Sequence, residues 1–129
     1  MYQYKAFVEN VVDGDTVDLK IDLGFDIWHN IRVRLIGIDT PEKWFDYGKV
    51  VKSYVTEKLQ GKDVTIQTEK ADKYGRYLVE VFISDIEGSF NQHLIDVGMA
   101  KSYGGASRAG IWTDEELAQT SHKLLLGSE

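Results

Sequence analysis

Three short stretches hold the residues best suited to chemistry: Asp13-Gly14-Asp15-Thr16, Arg34-Leu35-Ile36-Gly37-Ile38-Asp39-Thr40-Pro41-Glu42, and Asp72-Lys73-Tyr74-Gly75-Arg76. Each places charged groups at what reads as a strand end. Asp15, Asp39 and Glu42 supply carboxylate oxygens, the donors that Ca²⁺ or Mg²⁺ prefers. Arg34 and Arg76 supply planar forks that grip a phosphate as it gains charge under attack. That inventory suits holding a hard cation and cutting a phosphodiester.

Each stretch also has an ordinary structural reading. Asp-Gly is a common turn signal. Pro41 lacks a ladder donor and keeps Asp39-Thr40 from continuing as a helix, so the segment reads as a strand-terminating turn. Arg34, in an otherwise apolar strand, fits a structural ion pair at a barrel mouth as well as a phosphate ligand. Arg76 closes a charged loop that could be a plain hairpin with Gly75 at positive φ.

Strand parity adds weight to the chemical reading. Val17, Leu19, Ile21 and Leu23 alternate with Thr16, Asp18, Lys20 and Asp22, so the odd positions face inward. Asp15 shares their parity, and an inward carboxylate is costly unless it is paired or metal-bound. Beside it, Asp39 and a carbonyl at Thr40, exposed by the bent backbone, complete an oxygen-rich set.

The elements that must position these groups read as α+β. Strands are expected over residues 4–12, 16–23 and 31–38, with a hairpin connection over 24–30 that holds Phe25, Ile27 and Trp28. A helix opens at Gly48, with Val50, Val51, Tyr54, Val55 and Leu59 at helical spacing and Gly61 at its C-terminal end. Strands follow at roughly 62–69 and 77–84. A short helix begins at Ser89 or Asn91 and ends at Gly98. Residues 102–111 read as loop. Thr113 and Glu116 form a capping box that starts a last helix, which Gly127 ends. Five short strands with a helix after the third are compatible with a small OB-type barrel carrying about three helices.

The chain has 129 residues, 43% of them hydrophobic, which is one domain's worth of core over residues 1–129. With no cysteine, thiolate metal sites and disulfides are excluded. His29, His93 and His122 stand apart, without zinc spacing. The first residues lack the apolar core of a signal peptide, and no apolar run approaches a membrane span. The expectation is an unexported, cytoplasmic or phage-encoded intracellular monomer with no membrane partner. Net charge is −6, unlike most nucleic-acid-binding domains. Yet residues 43–76 hold eight Lys/Arg against five Asp/Glu, a local basic stretch able to guide a polyanion.

The order of these motifs, followed by Leu59-Gln60-Gly61-Lys62-Asp63-Val64 and by Phe90-Asn91-Gln92-His93-Leu94-Ile95-Asp96-Val97-Gly98-Met99-Ala100, resembles the staphylococcal nuclease-like (thermonuclease) family from about Val11 to Ala100. The resemblance implies an OB-fold barrel and a Ca²⁺-dependent nuclease that cleaves DNA and RNA to 3′-phosphate ends. It places the metal at Asp15, Asp39 and the Thr40 carbonyl, makes Glu42 the general base, and sets Arg34 and Arg76 on the scissile phosphate. Lys73 and Tyr74 look like nucleotide contacts, and Tyr103 is a further candidate for the nucleotide border. The aromatic hairpin and the region after Ala100 depart from the pattern. The rival reading is an OB module that binds nucleic acid or protein without cutting. Such modules typically lose a metal carboxylate or an arginine, and here Asp15, Asp39, Glu42, Arg34 and Arg76 are all present.

Overall fold

The computed structural model describes residues 2–69, 77–103 and 112–120. The elements run β1 Gln3–Asp13, β2 Thr16–Asp22, β3 Trp28–Leu35, β4 Ile38–Asp39, α1 Asp46–Leu59, β5 Asp63–Glu69, β6 Tyr77–Phe82, α2 Phe90–Asp96, β7 Lys101–Ser102 and α3 Asp114–Leu117. Five strands close a barrel in the order β1-β2-β3-β6-β5. All neighbours pair antiparallel except β3 and β6, which run parallel. The expected five-stranded OB-type α+β barrel with three helices is therefore present.

Alternation makes the barrel. Val8, Val17, Leu19, Leu35, Ile66 and Val81 are buried inside it, as period-2 side-chain placement requires. Register shifts between Val8 and Asn10 and between Val11 and Asp13 bend β1 as it approaches the β1–β2 turn. α1 lays Tyr47, Val51, Val55 and Leu59 on the barrel, the stripe expected from its 3.6-residue period. The Ser89 hydroxyl caps α2 by accepting from the backbone N–H of Gln92 at 3.1 Å. Asn91 is not the cap. Its buried amide donates to the carbonyls of Ile36 and Val79 and accepts from the N–H of Val81. That one side chain ties α2 to β6 and to the turn that leads into β4.

Several boundaries differ from expectation. β3 begins at Trp28 rather than residue 31, because Asp22 and Trp28 already pair across the hairpin. α1 starts at Asp46, one half-turn before Gly48. Leu23 shares the inward parity of β2 but is exposed, since it lies past the last paired residue. The capping box at Thr113 and Glu116 forms, but α3 ends at Leu117 instead of Gly127. Among the described residues, no helix is long and apolar enough to cross a membrane.

The aromatic hairpin lies at the opposite end of β2 and β3 from Asp15 and Arg34. Along β2 and β3, Thr16 faces Arg34 at one end and Asp22 faces Trp28 at the other. Six residues of strand separate the ends, roughly 20 Å. Phe25 at the tip is 98% exposed.

Candidate active site

Asp15 sits where β1 turns into β2, and its inward parity holds: it is 3% exposed. The Thr16 hydroxyl donates to its Oδ1 at 3.1 Å, and the Thr40 backbone N–H donates to its Oδ2 at 3.2 Å. The turn fits only because residue 14 is glycine. A Cβ there would stand 2.7 Å from Thr40 Oγ1 and 2.8 Å from Val51, so the β1–β2 turn and the Thr40 turn pack against each other.

Arg34 faces Thr16 from β3 and is 5% exposed. Its Nη1 lies 3.2 Å from Asp15 Oδ2 and its Nη2 3.5 Å from Asp39 Oδ1. Nη2 also donates to the Ile38 carbonyl at 3.1 Å. The guanidinium thus forks between two carboxylates from different strand ends. The Tyr103 ring lies 5.4 Å from the guanidinium carbon, a cation–π contact. The Tyr103 N–H donates to the Gly37 carbonyl, which fixes the ring's segment beside the turn.

Asp39 is 1% exposed and pairs with Lys101 in the β4–β7 ladder. Trp112 Nε1 donates to Asp39 Oδ2 at 3.0 Å. Thr40 is equally buried and brings its backbone to Asp15. Glu42 is half-buried just before α1, and its carbonyl accepts from the Phe45 N–H at 3.0 Å. Burial raises the pKa of Asp13, the Gly14 N–H opposes that shift, and the Asp15 and Glu42 carboxylates add to it while Lys43 lowers it. Glu42 and Lys43 therefore lie on the same side as the Asp13–Asp15 turn.

Asp15, Arg34, Asp39 and Thr40 come together, with Tyr103 against Arg34. Lys73, Tyr74 and Arg76 lie outside the described residues. Sequence reading missed Trp112 and the close packing of Gly14 and Gly48. No local pattern marks a tryptophan 73 positions from its partner.

The donor set fits a hard cation of the Ca²⁺ kind. Two carboxylates and a neighbouring backbone carbonyl at Thr40 are oxygen ligands only, with waters left to complete the shell. Among the described residues, no group of three or more His, Asp or Glu side chains is placed to hold a metal.

A sequence model described as staphylococcal nuclease homologue matches residues 32–123. The chain belongs to the staphylococcal nuclease family. It is 35% identical over 96 residues to an uncharacterized endonuclease of Escherichia coli, covering 74% of this chain and 59% of that protein. It is 35% identical over 103 residues to a thermonuclease of Staphylococcus intermedius, covering 74% of this chain and 57% of that one. Endonuclease YhcR of Bacillus subtilis is 29% identical over 115 residues, 78% of this chain and 9% of its own length. The chain thus spans less than two thirds of the first relatives it matches. The family match covers Arg34, Asp39, Thr40 and Glu42, whereas Asp15 precedes it.

Proposed function

We propose that this family member is a Ca²⁺-dependent phosphodiesterase that cleaves DNA or RNA to 3′-phosphate ends, within a single domain. One observation carries the reading. Two nearly inaccessible carboxylates, Asp15 and Asp39, arrive from separate strand ends and face the same guanidinium. Folding alone gains little from such a cluster, because the desolvation of buried ions offsets most of their attraction. A site that recognises a cation and a phosphate gives it a purpose.

In this reading Asp15, Asp39 and the Thr40 carbonyl hold Ca²⁺, which when bound orients the phosphate and offsets charge on one of its oxygens. Glu42 takes the proton from the attacking water, whose oxygen bonds to phosphorus as the P–O5′ bond breaks and the leaving 5′-oxygen takes a proton from solvent. Arg34 and Arg76 donate to the phosphate oxygens as the five-coordinate transition state gains charge. A preorganised donor of this type is typically worth roughly 10²–10³ in rate. Tyr103, against Arg34, borders the nucleotide, joined by Lys73 and Tyr74.

Lys43, Lys49 and Lys52 line a groove along the outer face of α1, next to Glu42 in sequence. They offer a path for the phosphates beyond the cut. So few cations imply a shallow dependence of affinity on salt. The hairpin tip around Phe25, at the far end of β2 and β3, takes no part.

The test is thermal unfolding with and without Ca²⁺. The wild-type protein is expected to melt higher with Ca²⁺, and Asp39→Ala to lose that gain. An unchanged gain in Asp39→Ala would place the metal elsewhere.

A further inference from the structure

Asp39 receives donors from two directions. Arg34 Nη2 approaches Oδ1, and the Trp112 indole donates to Oδ2 at 3.0 Å. The indole is itself clamped. Tyr47 from α1 meets it edge-on, with ring centres 6.0 Å apart and planes at 61°. Lys101 Nζ lies 4.7 Å from its ring centre. Lys101 is held in turn by Glu116, 2.8 Å away. Glu116 is also the residue that closes the Thr113 capping box, accepting from the Thr113 N–H through the same Oε1. The lysine contact and the Thr113 hydrogen bonds hold its carboxylate below the ordinary glutamate range.

We propose that Trp112 is a positioning residue for Asp39: its indole N–H fixes the carboxylate plane, and the Thr113–Glu116–Lys101 brace fixes the indole. The proposal rests on Asp39 being a metal ligand. A carboxylate on a short side chain can rotate about χ2, and each orientation presents a different lone pair to a cation. Two donors in different directions leave one orientation. Outer-shell hydrogen bonds of this type are commonly worth about 10–100-fold in metal affinity. The brace also explains why a four-residue helix with no buried residue carries a full capping box. Its product is the location of Glu116 and, through Lys101, of the indole.

Trp112→Phe keeps an aromatic ring between Tyr47 and Lys101 but removes the N–H. Four quantities are measured on it: melting temperature in chelator, Ca²⁺ affinity by calorimetry, and kcat and KM on a single-stranded oligonucleotide. The expected result is a Ca²⁺ Kd raised about 10–100-fold, with the chelator melting temperature nearly kept and much of kcat restored at saturating Ca²⁺. A merely structural tryptophan would lower the melting temperature and leave the Kd of the folded protein unchanged, which overturns the proposal.

Asp39→Ala separates the two readings. If it does not alter Ca²⁺ affinity, the metal assignment fails. If it abolishes binding while Trp112→Phe leaves it intact, only the positioning role fails.

A measurement on the wild-type protein stands independently of how Trp112→Phe folds. In an amide-correlated NMR spectrum, the Trp112 indole N–H is expected to exchange slowly and to shift on Ca²⁺ addition. Those of the exposed Trp28 and Trp44 should exchange fast and stay in place. A Trp112 indole resonance that does not move at saturating Ca²⁺ contradicts the proposal.

Discussion

Glu42 and Gly48 pack backbone against backbone: a Cβ on Gly48 would run into the Glu42 carbonyl. Helix α1 starts at Asp46, and the segment carrying Glu42 folds back over its first turn. The backbone of the site's proposed base is therefore seated against a glycine on the helix.

Gly48→Ala distinguishes this packing from helix propensity. Propensity alone would make alanine stabilising by about 1 kcal/mol in a helix. The collision instead forces the Glu42 segment away, with a cost of about 1–3 kcal/mol typical of overpacking. Urea unfolding should show a loss of stability, and turnover should fall because Glu42 moves. A stabilised, fully active Gly48→Ala protein would refute the packing argument.

Arg34 is the shared partner of Asp15 and Asp39, so it bears on folding as well as on its proposed role at the phosphate. Arg34→Ala leaves two buried carboxylates without that guanidinium, a loss of about 3–5 kcal/mol for a broken buried pair. A guanidinium and a cation compete for the same oxygens. The variant should therefore melt lower in chelator yet gain more from Ca²⁺ than the wild type does, by ligand linkage, while its cleavage is lost. A smaller Ca²⁺ gain in Arg34→Ala would mean the carboxylates do not share one cation site.

Much of the barrel is legible from strand parity, because period-2 alternation in β2 is what burial demands of it, whereas β3 buries Val33, Arg34 and Leu35 in succession. Parity also put Asp15 inside, and the motif order put Arg34, Asp39 and Thr40 around it. The missing parts are long-range. Trp112 reaches Asp39 only through the fold. Asn91, which looks like a helix cap in sequence, is drawn inward because three backbone groups of β6 and the Ile36 turn need partners. The end of α3 at Leu117 was equally hidden, because a capping box marks where a helix starts and not where it stops.

His93 gives the fold a pH-dependent element away from the site. Its Nε2 lies 2.7 Å from the Tyr54 hydroxyl, and its ring stacks on Tyr54. Burial lowers its pKa below the ordinary histidine value, Lys58 lowers it further, and Asp96 opposes them. The folded state thus favours the neutral ring. Stability from this group is complete above about pH 6.5 and falls as pH drops from there through the lower folded value. Urea unfolding at pH 7.5 and 5.5 should show a loss in the wild type at the lower pH. In His93→Gln that loss should shrink, and an equal loss in both proteins would assign the pH dependence to other groups.

In the proposed function the Asp15–Arg34–Asp39 cluster, with Glu42, cuts phosphodiesters using a bound divalent cation. The most direct measurement is digestion of a defined single-stranded oligonucleotide, with product masses read by mass spectrometry, in Ca²⁺ and in chelator, for the wild type and Glu42→Gln. The expected products are fragments ending in 3′-phosphate with Ca²⁺ and none in chelator, with a turnover at least about 10²-fold lower in Glu42→Gln, in line with loss of a positioned general base. Undiminished cleavage in chelator, 3′-hydroxyl ends, or full turnover by Glu42→Gln would contradict it.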